Sequence, residues 1–94
     1  GRAVPKGWSG SVTGPASYAT GGFTVTISDL AKVYDAVAIA GGGYLAEVAS
    51  ISGNAITIKV YYFNYPATAT GTAVEIPAGT DLSGVTFRII AIGE

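Results

Sequence analysis

Cysteine, histidine and methionine are all absent from this 94-residue sequence. Without cysteine there are no disulfides and no thiolate metal sites, so stability has to come from packing and hydrogen bonds. Without histidine the chain lacks the side chain most often used for proton transfer near neutral pH and the commonest transition-metal ligand. Most catalytic schemes lose a principal member, and a non-enzymatic protein with no cofactor is expected. Charge is scarce too, at 12% of residues against roughly 25% in an average soluble domain. Five bases and six acids leave a net charge of −1, so no summed positive field is available to hold a polyphosphate backbone, and nucleic acid is not an expected partner. The longest weakly charged apolar stretch, Ala36 to Ala46, is interrupted by Gly41, Gly42 and Gly43. It falls far short of the roughly 20 residues of a membrane span.

What is present is apolar and small. Hydrophobic residues make up 49% of the chain, and there are 14 glycines. A chain of this length buries about two-thirds or less of its unfolded surface, so part of the apolar surface is expected to find a partner. Abundant Val, Ile and Tyr suit flat packed sheets, and glycine suits turns and close backbone approach. The composition reads as all-β and self-associating.

Residues 1–22 differ from the rest, with six glycines, two prolines and several Ser and Thr. A flexible tail is the simplest reading. Ordering such a segment would cost about 20 to 40 kcal/mol of backbone entropy, and its larger apolar side chains would each return only about 1.5 to 3 kcal/mol. Backbone pairing along a sheet edge, the chain's own or a neighbour's, would supply the remainder. Residues 1–22 are therefore expected to be an extended assembly arm, carried by Arg2, Val4, Lys6, Trp8, Val12 and Tyr18, ahead of a β domain over 23–94.

From Phe23 on, period two dominates. Phe23, Val25 and Ile27 alternate with Thr24 and Thr26, as in a half-buried strand. Ser28 to Ala40 is ambiguous: Leu30, Val33, Tyr34 and Val37 have helical spacing behind a possible Ser28 cap, while Val33, Asp35, Val37 and Ile39 alternate with alanines. An internal echo favours the strand. Asp29-Leu30-x-x-Val33 before Val37-Ala38-Ile39-Ala40-Gly41 repeats as Asp81-Leu82-x-x-Val85 before Ile89-Ile90-Ala91-Ile92-Gly93, each reading as a turn leading into a strand. Tyr44 to Ile51 and Ala55 to Tyr65 read as a hairpin. A three-residue Ser52-Gly53-Asn54 loop would set Glu47 opposite Lys59 and Val48 opposite Ile58, whereas a two-residue Gly53-Asn54 turn shifts the register by one. The three-residue loop is preferred. Pro66 through Thr72 reads as loop, Ala73 to Ile76 as a short strand, Pro77 to Thr80 as a turn and Val85 to Ile92 as a last, strongly apolar strand. The expected fold is a single β-sandwich, jelly-roll-like, or a small barrel of five to seven short strands.

The carboxylates are scattered without the spacing of a calcium loop or an acid pair. Asp29 and Asp81 read as turn caps. Gly41-Gly42-Gly43 lacks the Lys-Ser/Thr of a phosphate loop and reads as a tight turn. On a strand the run Tyr61-Tyr62-Phe63-Asn64-Tyr65 puts Tyr61 and Phe63 on one side and Tyr62 and Tyr65 toward the other. One face would fill the core and the other a subunit interface, where Tyr is favoured. A sugar-stacking platform that includes Trp8 is the alternative.

The segment VYYFNYPATATGTAVEIPAGTDLSGVTFRIIAIGE, with its Gly-Asn hairpin upstream, resembles the small β domains in structural proteins of tailed phages and archaeal viruses. The resemblance spans roughly residues 23–94 and is one of texture: the aromatic strand, the P-A-G-T-D-L-S-G turn and the apolar finish. It implies a coat, head-decoration or tail component in a virion or other extracellular setting, contacting copies of itself and other particle proteins. A pilus-like filament joined by strand exchange is the close variant, and a carbohydrate-binding module the competing class.

Overall fold

A computed structural model describes residues 4–62 and 73–94, and the regular structure among them is strand and turn without helix. Among the described residues six strands follow in chain order: β1 (Lys6–Thr13), β2 (Phe23–Thr26), β3 (Val33–Ala40), β4 (Tyr44–Ser52), β5 (Ala55–Tyr62) and β6 (Thr86–Gly93). They form two three-stranded sheets, ordered β1-β6-β3 and β2-β5-β4, and every pairing is antiparallel.

The central strands explain why the chain folds this way. In β5, Ile56, Ile58 and Val60 are buried; in β6, Phe87, Ile89 and Ala91 are. These two sets belong to one hydrophobic cluster, joined by Tyr18, Ile27, Leu30, Val33, Ile76 and Leu82. Each buried Ile, Leu or Phe contributes about 1.5 to 3 kcal/mol, so the period-two pattern of the two middle strands dominates the fold. Phe23 of β2 meets Phe87 of β6 edge to face, with ring centres 5.1 Å apart, linking one sheet to the other.

The ambiguous stretch resolves as strand β3, with Ala36, Ala38 and Ala40 turned inward and Val37 and Ile39 outward. Its small inward residues let β3 sit at a sheet edge, and Gly41 to Gly43 then turn the chain into β4 of the other sheet.

The β4–β5 hairpin pairs Glu47 with Lys59 and Val48 with Ile58, as expected, but by a different route. Ser52 pairs with Ala55, which leaves a two-residue Gly53-Asn54 turn, and the register shifts between Val48 and Ser50. Gly53 has φ 60° and no other residue of the turn has positive φ, the pattern of a type II′ hairpin with Gly at its first central position. Ala49 is the extra residue of a β-bulge. The turn and the bulge each move the register by one, and together they reproduce the pairing that a three-residue loop would have made.

The N-terminal segment takes the first of the two sheet edges its composition left open, the chain's own. Residues Lys6 to Thr13 pair with β6 along their whole length, from Lys6↔Gly93 to Thr13↔Thr86. Beyond β1, the Gly14 N–H donates to the Val85 carbonyl (3.0 Å) and the Tyr18 N–H to the Thr80 carbonyl (2.9 Å). The pairing partner that the arm's composition demanded is the chain's own sheet edge. The short strand expected over Ala73 to Ile76 is only an isolated bridge, Glu75 to Tyr61.

Candidate assembly face

Of the six arm residues, Trp8, Val12 and Tyr18 pack against the chain's own core. Val4 and Lys6 are exposed, and Arg2 lies outside the described residues. Trp8 lies across Gly10, and its indole N–H donates to Asp29 Oδ2 at 2.9 Å. Asp29 therefore ties β1 to the β2–β3 turn rather than capping that turn. Asp81 does cap: its Oδ1 accepts from the Ser83 N–H at 2.9 Å and the Ser83 hydroxyl at 2.6 Å.

Tyr18 is the polar node of the interior. Its hydroxyl donates to Glu75 Oε2 at 2.6 Å and accepts from the Val60 N–H at 3.2 Å, and Glu75 Oε2 also accepts from the Gly21 N–H at 2.9 Å. Burial, and then the carboxylate beside it, push the Tyr18 phenol from 10.0 up to about 12. The Tyr18 hydroxyl and the Gly21 N–H hold the Glu75 carboxyl below its ordinary value. The network closes the gap between the 15–22 loop and β5.

Of the aromatic run, Tyr62 packs toward the core and Tyr61 faces outward, donating its hydroxyl to Glu47 Oε1 at 3.0 Å. Lys59 stands 5.7 Å from the centre of the Tyr61 ring. Phe63 and Tyr65 lie outside the described residues. Tyr61, Tyr62 and Trp8 therefore do not converge on one platform: Trp8 and Tyr62 turn inward on different sheets, while Tyr61 lies outside.

The outer faces of the two sheets differ sharply. The β2-β5-β4 sheet presents Thr24, Thr26, Thr57, Lys59, Tyr61 and Glu47, with Leu45 and Ile51 of β4 as its exposed large aliphatic residues. The β1-β6-β3 sheet presents Val37, Ile39 and Ile90, each 55% exposed, and Ile92, 46% exposed. Val37 pairs with Ile90, Asp35 with Ile92 and Ile39 with Arg88, so the four apolar side chains form one contiguous cluster. On its β1 flank Gly7, Ser9 and Ser11 stand beside Ile92, Ile90 and Arg88. A shallow depression of about 200 Å³ lies among Asp35, Ala36, Val37, Ile90, Ala91 and Ile92. Contiguous exposed apolar surface of this kind marks interaction sites on monomers.

None of these four residues was singled out from the sequence. The signal lay in Ile89-Ile90-Ala91-Ile92, where apolar residues occupy consecutive positions and hence both faces of the strand. Among the described residues no group of three acidic side chains is placed to hold a metal ion, and no helix is long and apolar enough to cross a membrane. Compared with protein-family models, with curated proteins and with solved structures, the chain matches none of them.

Proposed function

We propose that this chain is a non-enzymatic structural subunit of a multi-copy assembly, with its two sheets packed as a β-sandwich and the outer face of the β1-β6-β3 sheet as its contact surface. One observation carries the reading: one outer face is polar and the other bears the Val37, Ile39, Ile90 and Ile92 cluster. Solvation explains the first face and leaves the second unexplained. Because β1 occupies the edge of its own sheet, this face replaces the N-terminal arm as the leading contact element. A virion component is the setting that the texture of residues 23–94 favours, with a pilus-like filament as the variant.

Sedimentation velocity and negative-stain electron microscopy of the purified chain test this. The wild type should form species larger than a monomer, and the images should separate closed shells, tubes and fibres. Ile90→Lys should return it to a monomer with an unchanged circular dichroism spectrum. A wild type that stays monomeric at high concentration would refute the reading, and glycan-array binding abolished by Tyr61→Ala, the outward-facing tyrosine, would move it to a carbohydrate-binding module.

A further inference from the structure

We propose that the occupant of this face is the same face of a second copy, related by a two-fold axis, with Asp35 of each chain meeting Arg88 of the other. The inference rests on the self-association reading above and names its partner.

Three pairs form a small lattice on the outer surface: Asp35↔Ile92, Val37↔Ile90 and Ile39↔Arg88. The acid and the base thus occupy diagonally opposite corners of the apolar quartet. With about 4.8 Å between strands and about 3.4 Å per residue along them, the corners are roughly 14 Å apart. Neither charge is satisfied by an ion pair among the described residues. Asp35 uses Oδ1 to accept from the Ala36 N–H at 2.9 Å, which leaves Oδ2 for a partner.

A two-fold axis lying between two stacked sheets, perpendicular to that diagonal, exchanges the corners. Each Asp35 then lies over an Arg88, and near the axis Val37 meets Val37 and Ile90 meets Ile90. A two-fold contact uses one patch twice and so requires this self-complementarity. The same operation crosses the strands of the two copies at roughly 40°, close to the roughly 30° of aligned sheet packing.

The hand agrees as well. The Gly41 N–H donates to the Thr86 carbonyl at 2.9 Å, so the odd-numbered residues of β3, whose side chains face outward, direct their N–H groups toward β6. For L-residues this places β6 to the right of an upward β3 seen from outside. The crossing that joins the charges is then negative, the sense in which twisted sheets stack. On the β1 side, Gly7, Ser9 and Ser11 present no bulky rim to hold a second sheet away.

Charge reversal tests the arrangement. Asp35→Arg and Arg88→Asp are each measured alone and as an equimolar mixture by sedimentation equilibrium, with circular dichroism to confirm folding. Each single variant places like charges at both ends of its own contact and should weaken association about tenfold or more. The mixture should recover most of the wild-type affinity as a heterodimer, a recovery that misfolding cannot produce. If the wild type associates while both reversals leave its affinity unchanged, this two-fold arrangement is wrong and the broader self-association reading survives. If the wild type does not associate, a foreign surface covers the face and both proposals fail.

Discussion

Tyr18 shows how much one side chain can be asked to do in a chain so poor in polar interior groups. It fills core volume and also satisfies the Val60 N–H and the Glu75 carboxylate. Tyr18→Phe keeps the ring and removes both hydrogen bonds, leaving the Val60 N–H without its acceptor; urea unfolding should show a loss of about 1 to 3 kcal/mol. The pH dependence follows from the same node. The folded-state value for Tyr18 is raised from 10.0 to about 12, so folding favours the neutral phenol. That contribution is complete below pH 10 and is lost as the pH rises from 10 toward 12. Glu75 is shifted down from 4.5, so its contribution is present above that value and is lost as the pH falls through the lowered one. Urea midpoints measured across both windows should fall at each end; Tyr18→Phe should shrink the alkaline limb, leaving the part due to Tyr34 and Lys59, and should also shrink the acid limb, because the Tyr18 hydroxyl is the main group holding Glu75 down.

The β4–β5 hairpin shows a register produced by two compensating irregularities, the Gly53-Asn54 turn and the Ala49 bulge. The turn is also a docking point. Its Gly53 carbonyl accepts from the Val33 N–H and its Asn54 carbonyl from the Ile27 N–H, both at 2.8 Å, while Asn54 Nδ2 donates to the Leu30 carbonyl at 3.0 Å. Gly53 has φ 60°, so Gly53→Ala should cost about 1 to 2 kcal/mol. Because the turn holds the β2–β3 connection, hydrogen exchange should quicken at the Ile27 and Val33 amides as well as within the hairpin.

For the whole molecule, the two outer faces decide behaviour in solution. If copies cover the Val37, Ile39, Ile90 and Ile92 cluster, association stabilises the folded state by mass action. The thermal midpoint of the wild type should then rise by a few degrees for each tenfold increase in concentration. For Ile90→Lys the midpoint should be independent of concentration. Val37 and Ile90 face away from the core, so the folded monomer loses little when either is changed.

Sequence alone determined the all-β class, the turn at Pro77 to Thr80 and the Asp81 cap, because period-two patterning and turn chemistry are local properties; the Glu47–Lys59 pairing it expected is reached only because the Ala49 bulge offsets a turn one residue shorter than expected. It also showed that more apolar surface was present than so short a chain can bury. Which surface is left over was a tertiary decision. The arm residues Trp8, Val12 and Tyr18 read as excess until β1 is seen beside β6, where they become core. In the apolar run of β6 the sequence does not say which of Ile89, Ile90, Ala91 and Ile92 are covered; in the structure Ile89 and Ala91 are core and Ile90 and Ile92 are exposed. A strand's pattern says that it has two faces; only the packing of one sheet against the other says which face is covered.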